Sequence, residues 1–141
     1  MSTGSPPIPQ LKAAPRADQL AERLDGGDWA GIEIALRAAD LGDSAAVDAV
    51  LEAAEGLAVT AEAPLVWPSG AFVSVDRLDD EARAGIEASA GFAAAVGSPV
   101  LTIHLFIPTD AAAFRAAGEV DEAAVERFLR FYADACGSRG V

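Results

Sequence analysis

The chain has 141 residues, an ordinary size for one domain with a buried core, and its 22 acidic against 10 basic residues leave a formal net charge of -12. That charge repels a phosphate backbone and anionic lipid, so no nucleic acid and no membrane surface is expected as a partner. No apolar stretch reaches the roughly 18 to 20 residues of a membrane span, the opening MSTGSPPIPQ lacks the pattern of a signal peptide, and a single cysteine, Cys136, leaves no internal disulfide, so the chain reads as cytoplasmic.

Residues 1–7 read as an extended or disordered lead, and residues 8–141 as one domain in which a short apolar strand, a loop and an amphipathic helix recur four times. The first strand is drawn from IPQLKAA, and the helix after it, RADQLAERLDGG, turns Leu20 and Leu24 to one side before a glycine pair ends it. The second strand, GIEIALR, splits into Ile32, Ile34 and Leu36 on one parity and Glu33, Ala35 and Arg37 on the other. Asp43 or Ser44 then caps a helix presenting Val47, Val50, Leu51 and Ala54, which stops at Gly56.

The third strand, LAVTAEAP, repeats the split, with Val59, Ala61 and Ala63 against Thr60 and Glu62. The loop LVWPSGAFVS leads to a helix over about Leu78–Val96 with Ile86, Ala90, Ala93 and Ala94 as its stripe. The acids of DRLDDEAR fit capping and the helix dipole better than a metal site. The fourth strand, VLTIHLFIP, holds the only histidine, His104, on the parity of Thr102 and Phe106. The last helix, from about Asp121 to Cys136, sets Val125, Phe128, Leu129 and Tyr132 in register, with Cys136 as core packing and Asp121, Glu122 and Glu126 on its solvated face.

Strands that alternate with helices point to parallel pairing with right-handed crossovers, hence an α/β fold. Lys12, Glu33, Glu62 and His104 stand near the carboxyl ends of the four strands, opposite the aliphatic parity. A doubly wound sheet buries both parities under helices, whereas in a barrel one parity lines the lumen and its upper layer carries the active-site groups. The pattern therefore predicts a parallel (βα)4 half of a TIM (β/α)8 barrel. A closed barrel takes eight units and typically about 250 residues, so the sequence is expected to stop before a fifth strand.

Together GDWAGIEIAL, VTAEAP, VLTIHLF and AVERFLRFYADAC, in this order and spacing, resemble the N-terminal half of the xylose isomerase-like TIM barrels, which include sugar phosphate isomerases and epimerases and the apurinic endonucleases. The resemblance covers essentially the whole chain after the first residues. It implies a sugar or sugar phosphate as substrate and a divalent metal (Mn, Mg or Zn), held by carboxylates and histidine from the later strands, that polarises a carbonyl and a hydroxyl. Those later strands, beginning with one of the type x-x-I-E-N, lie beyond this sequence, so neither tight metal binding nor isomerase activity is expected of the 141-residue chain itself. His104 matches a fourth-strand histidine that binds metal in the endonuclease branch and otherwise faces the substrate pocket. The endonuclease pattern also wants a histidine at the end of the third strand, where this chain has Glu62-Ala63-Pro64, and with the acidic charge that departure favours the sugar branch.

His104 either lines the pocket or bonds within the core to Thr102 or backbone. Glu33 and Glu62 either hold substrate hydroxyls or a metal, or pair with Lys12 and Arg37. Trp67 either stacks on a sugar face or anchors its loop against the barrel top, while Trp29 belongs to packing at the opposite end. A half barrel leaves two open sheet edges, so the alternative to an isomerase or epimerase relative, or an inactive fragment of one, is a small α/β binding or assembly module that forms a homo-oligomer to cover them.

Overall fold

The computed structural model describes residues 10–105 and 121–141. Four strands, β1 (Gln10–Ala13), β2 (Gly31–Ala35), β3 (Ala58–Glu62) and β4 (Leu101–Thr102), form one parallel sheet in the order β1-β2-β3-β4. Four helices are described with them: α1 (Ala17–Leu24), α2 (Ser44–Ala53), α3 (Asp80–Ala95) and α4 (Glu122–Gly137). A one-turn 3-10 helix, Ala38–Asp40, follows β2.

Strand register explains the core. Ala13, Ile34, Ala61 and Leu101 are aligned across all four strands, and their row is buried. Each helix adds one large side chain with no exposed surface to the same cluster: Leu20 from α1, Val50 from α2, Ile86 from α3 and Phe128 from α4. With crossovers of the usual right hand, parallel strands in sequential order carry the connecting helices α1, α2 and α3 on one side of the sheet, and Phe128 of α4 joins the same core cluster. The aliphatic parity meets those helices, and the parity of Lys12, Glu33 and Glu62 faces the other way.

Local chemistry sets the helix starts. Asp43, Asp79 and Asp121 are the N-caps of α2, α3 and α4, accepting backbone N–H groups of Ala45, of Ala82, and of both Ala123 and Ala124, respectively. DRLDDEAR thus caps α3, with Asp80 and Glu81 in its first turn. Between α3 and α4, the Arg83 guanidinium lies 4.8 Å from the centre of the Phe131 ring.

Three helix residues expected in the core are exposed: Leu51, Ala94 and Leu129. Each directly follows a core residue, Val50, Ala93 or Phe128, and a step of 100° carries it off the sheet-facing side. In α2 the buried line is Ala46 and Val50, continued by the C-cap Ala54; in α4 it runs through Ala124, Phe128 and Ala135, with Cys136 buried beside it.

β4 is far shorter than the strand expected over VLTIHLFIP. After Ala63, whose N–H donates to the Thr102 carbonyl, the chain leaves the sheet at Pro64 and pairs with itself: Val73 N–H donates to the Leu65 carbonyl, and Val66 bridges Phe72 antiparallel. β3 thus offers no partner beyond Ala63, and β4 ends at Thr102. His104 therefore lies just past the strand and is exposed, instead of standing in a buried strand. The expectations for Phe106 and Ile107, for the first two residues of IPQLKAA and for the lead over residues 1–7 lie outside the described residues.

Candidate functional site

The sheet brings Lys12, Glu33, Glu62 and His104 together. Lys12, Glu33 and Thr60 are aligned in one row across β1, β2 and β3, and Ala35, Glu62 and Thr102 form the row two residues further on, on the same face. Lys12 reaches diagonally between the rows, its Nζ donating to Glu62 Oε2 at 2.5 Å and standing 3.3 Å from Glu33 Oε1. His104 Nε2 is 3.2 Å from the same Glu62 oxygen. The backbone holds this arrangement from behind, since the Glu62 carbonyl accepts Leu36 N–H at 2.9 Å.

Burial differs sharply within the group. The Glu62 side chain is 9% exposed, whereas those of Lys12 and His104 are 52% and 51% exposed and that of Glu33 27%. Glu62 is the buried pivot, and the other three form an accessible rim. Burial is the largest influence on the Glu62 carboxyl and pushes its pKa up, but the hydrogen bonds and charges of Lys12 and His104 together outweigh it and hold it below the ordinary value. Its hydrogen bond to Glu62, ahead of the opposing cost of burial, raises the Lys12 pKa. The raised Lys12 and the lowered Glu62 keep this ion pair charged at neutral pH.

Arg37 does not join this group. Its Nε lies 3.6 Å from Asp40 Oδ2, and the same oxygen accepts Arg37 N–H at 2.8 Å, which closes the 3-10 turn. Asp40 is a buried carboxylate that the pattern reading passed over; the R-x-x-D spacing, fitting a local cap, was its only signal. The hydroxyl of Thr60, next to Glu33 in the row, is buried without a hydrogen-bond partner among the described residues.

Trp67 takes the second of its two expected roles, the loop anchor. It is 1% exposed, in a loop closed by hydrogen bonds from Trp67 N–H to the Ala71 carbonyl and from Gly70 N–H to the Trp67 carbonyl. Gly70 supplies the positive φ of 84° that this turn needs. Ser69 ties the loop to α3 through two hydrogen bonds to the Glu81 carboxylate, from its N–H at 2.8 Å and its hydroxyl at 2.7 Å. So deeply buried a ring presents no face for stacking on a ligand, which removes Trp67 from the pocket set.

The carboxylates and the histidine do not fit a divalent metal as they stand. Lys12 Nζ occupies the space between Glu33 and Glu62, and a second cation there meets its charge directly. Among the described residues no group of three or more His, Cys, Asp or Glu is arranged to hold a metal ion. The arrangement instead suits hydrogen bonding and proton exchange: Lys12 and His104 offer donors, Glu33 an acceptor, and the Glu62–His104 contact a route for one proton.

Fold and site define a parallel α/β chain whose polar groups gather at the carboxyl ends of sequentially ordered strands. Comparisons with protein-family models, with curated proteins and with solved structures return no match for the chain. Among the described residues no helix is long and apolar enough to cross a membrane.

Proposed function

We propose that the chain forms the first four βα units of a TIM-type barrel of the xylose isomerase-like kind, and that Lys12, Glu33, Glu62 and His104 are its share of a pocket for a sugar or sugar phosphate. The observation that carries this reading is one connected cluster of side chains from β1, β2, β3 and the segment after β4: Lys12 contacts both Glu33 and Glu62, and His104 contacts the same Glu62 oxygen as Lys12. The strand order supports it too. A doubly wound sheet reverses direction at a switch point and carries helices on both faces, whereas a barrel is wound in one direction with its helices outside.

In this reading Glu33 accepts a hydrogen bond from a sugar hydroxyl. Lys12 and His104 donate to a carbonyl, hydroxylate or phosphate oxygen, and the buried Glu62 keeps both donors oriented. His104, exposed and beside a carboxylate, is the group placed to exchange a proton with ligand, the elementary step of isomerisation and epimerisation at a carbon next to a carbonyl.

Titration of the isotope-labelled chain with aldoses, ketoses and their phosphates tests the reading by NMR. Saturable shifts centred on Lys12, Glu33, Glu62 and His104, lost in Glu62→Gln, are expected. Absence of such shifts across the whole panel refutes it.

A further inference from the structure

We infer that Lys12 is the built-in cation of this site, its ammonium standing where a divalent metal would bridge Glu33 and Glu62, so that the cluster engages an oxygen-rich ligand without a metal. For its ligand the inference rests on the pocket reading above. For the exclusion of metal it rests only on the positions of Lys12, Glu33, Glu62 and His104.

The geometry leaves little room for both cations. A metal bound to Glu62 Oε2 sits about 2.0 to 2.2 Å from that oxygen. Lys12 Nζ already stands 2.5 Å from the same atom and 3.3 Å from Glu33 Oε1. His104 Nε2, at 3.2 Å, fills a further position around that oxygen. To admit a metal, Lys12 has to swing out of both contacts, and Glu62, the most buried of the four, loses its closest partner.

Lysine and metal also differ in what they select. An ammonium is a compact charge with three donors and no preference for a fixed coordination geometry. It favours a ligand offering a negatively polarised oxygen at hydrogen-bond distance, and unlike a metal it cannot chelate two ligand oxygens at short range. The ligand class is therefore a carbonyl or phosphate oxygen set beside a hydroxyl, the oxygen meeting Lys12 and His104 and the hydroxyl meeting Glu33.

The test is a Mn2+ titration of the full chain, isotope-labelled, in native form and as Lys12→Met and Lys12→Arg, read as paramagnetic broadening of the backbone signals of Glu33, Glu62 and His104. Lys12→Met removes the charge and keeps a side chain of similar length. It is expected to show site-selective broadening with affinity about tenfold or more above the native chain, because one positive charge about 4 Å from a divalent ion is gone. The native chain and Lys12→Arg are expected to show none at those Mn2+ concentrations. Site-selective broadening of the native chain at those concentrations overturns the inference, and so does a folded Lys12→Met that gains no metal binding. Dispersion of the same spectra reports folding; if Lys12→Met does not fold, Lys12→Gln takes its place, and the native and Lys12→Arg arms stand without either. No sugar enters this titration, so its failure and the failure of the pocket reading are separate results.

Discussion

The indole of Trp67 packs against Gly85 on α3, so close that a β-carbon on Gly85 would stand no more than 3.0 Å from three of its ring carbons. A residue after β3 is thereby locked to the helix that follows it, and only a glycine permits the approach. Gly85→Ala gains helix propensity of up to about 1 kcal/mol but overpacks the contact, a cost of about 1–3 kcal/mol, so net destabilisation is expected. Urea unfolding checks this. Trp67→Leu combined with Gly85→Ala should cost less than the sum of the two single changes, because the smaller side chain removes the clash; strict additivity would show that the two residues do not press on each other.

Glu62→Gln should weaken the chain by about 1 kcal/mol near neutral pH, a modest effect because both partners of the carboxylate are half exposed. The folded-state pKa of Glu62 is lowered from 4.5, so its contribution is fully present above that value and fades as pH falls through the lower, folded-state pKa. The difference between native and Glu62→Gln is therefore expected to shrink on the acid side. Lys12, raised from 10.5, contributes below that value and loses its contribution as pH rises through the folded-state pKa. Stability measured against pH for both proteins tests both arms; a gap that persists unchanged into strong acid contradicts the role given to Glu62.

Tyr132 is the one tyrosine in the chain, and its hydroxyl donates to the Leu101 carbonyl, joining α4 to β4. Burial pushes the phenol well above the ordinary tyrosine range, with Cys136 adding to the effect. A raised folded-state pKa means stability that is present below 10.0 and lost as pH climbs further. Ultraviolet titration should show no phenolate until the chain unfolds in alkali, and Tyr132→Phe should cost about 1 kcal/mol. A phenol titrating near 10.0 in the folded chain would contradict the contact.

Asp121 accepts two N–H groups at the start of α4, and Asp121→Ala is expected to cost about 1 kcal/mol. Glu122→Ala, one residue further along the exposed first turn, should stay within about 0.5 kcal/mol. Thermal unfolding of the pair separates a capping role from a general charge effect, since equal losses would point to charge.

Two kinds of information were legible in the chain before folding. Period-two alternation identified the aliphatic parity of β2 and β3, and the same alternation placed Lys12, Glu33 and Glu62 on one side of the sheet; it reached His104 only by assuming the continuation of a strand that ends at Thr102. Asp43 and the acids of DRLDDEAR marked the starts of α2 and α3 by capping, whereas Asp121, read as solvated face, is the cap of α4. Both signals are local, because alternation comes from the pleat of a single strand and capping from one turn of chain.

What joins distant segments was not legible. Lys12 and Glu62 are 50 positions apart, and their contact exists because parallel register sets their rows side by side and a long side chain spans the step. Trp67 had two equally consistent roles until the loop folded back on Gly85, and Leu51 and Leu129 shared an apolar stripe with core residues until packing selected the face of each helix. β4 ended at Thr102 because β3 turned away, a fact carried by Pro64 and the hairpin after it and not by VLTIHLFIP. The sequence by itself determined which faces are apolar and where helices begin; the tertiary structure decided which polar groups meet and which apolar ones stay in water, since both depend on register and helix phase between segments that are far apart in the chain.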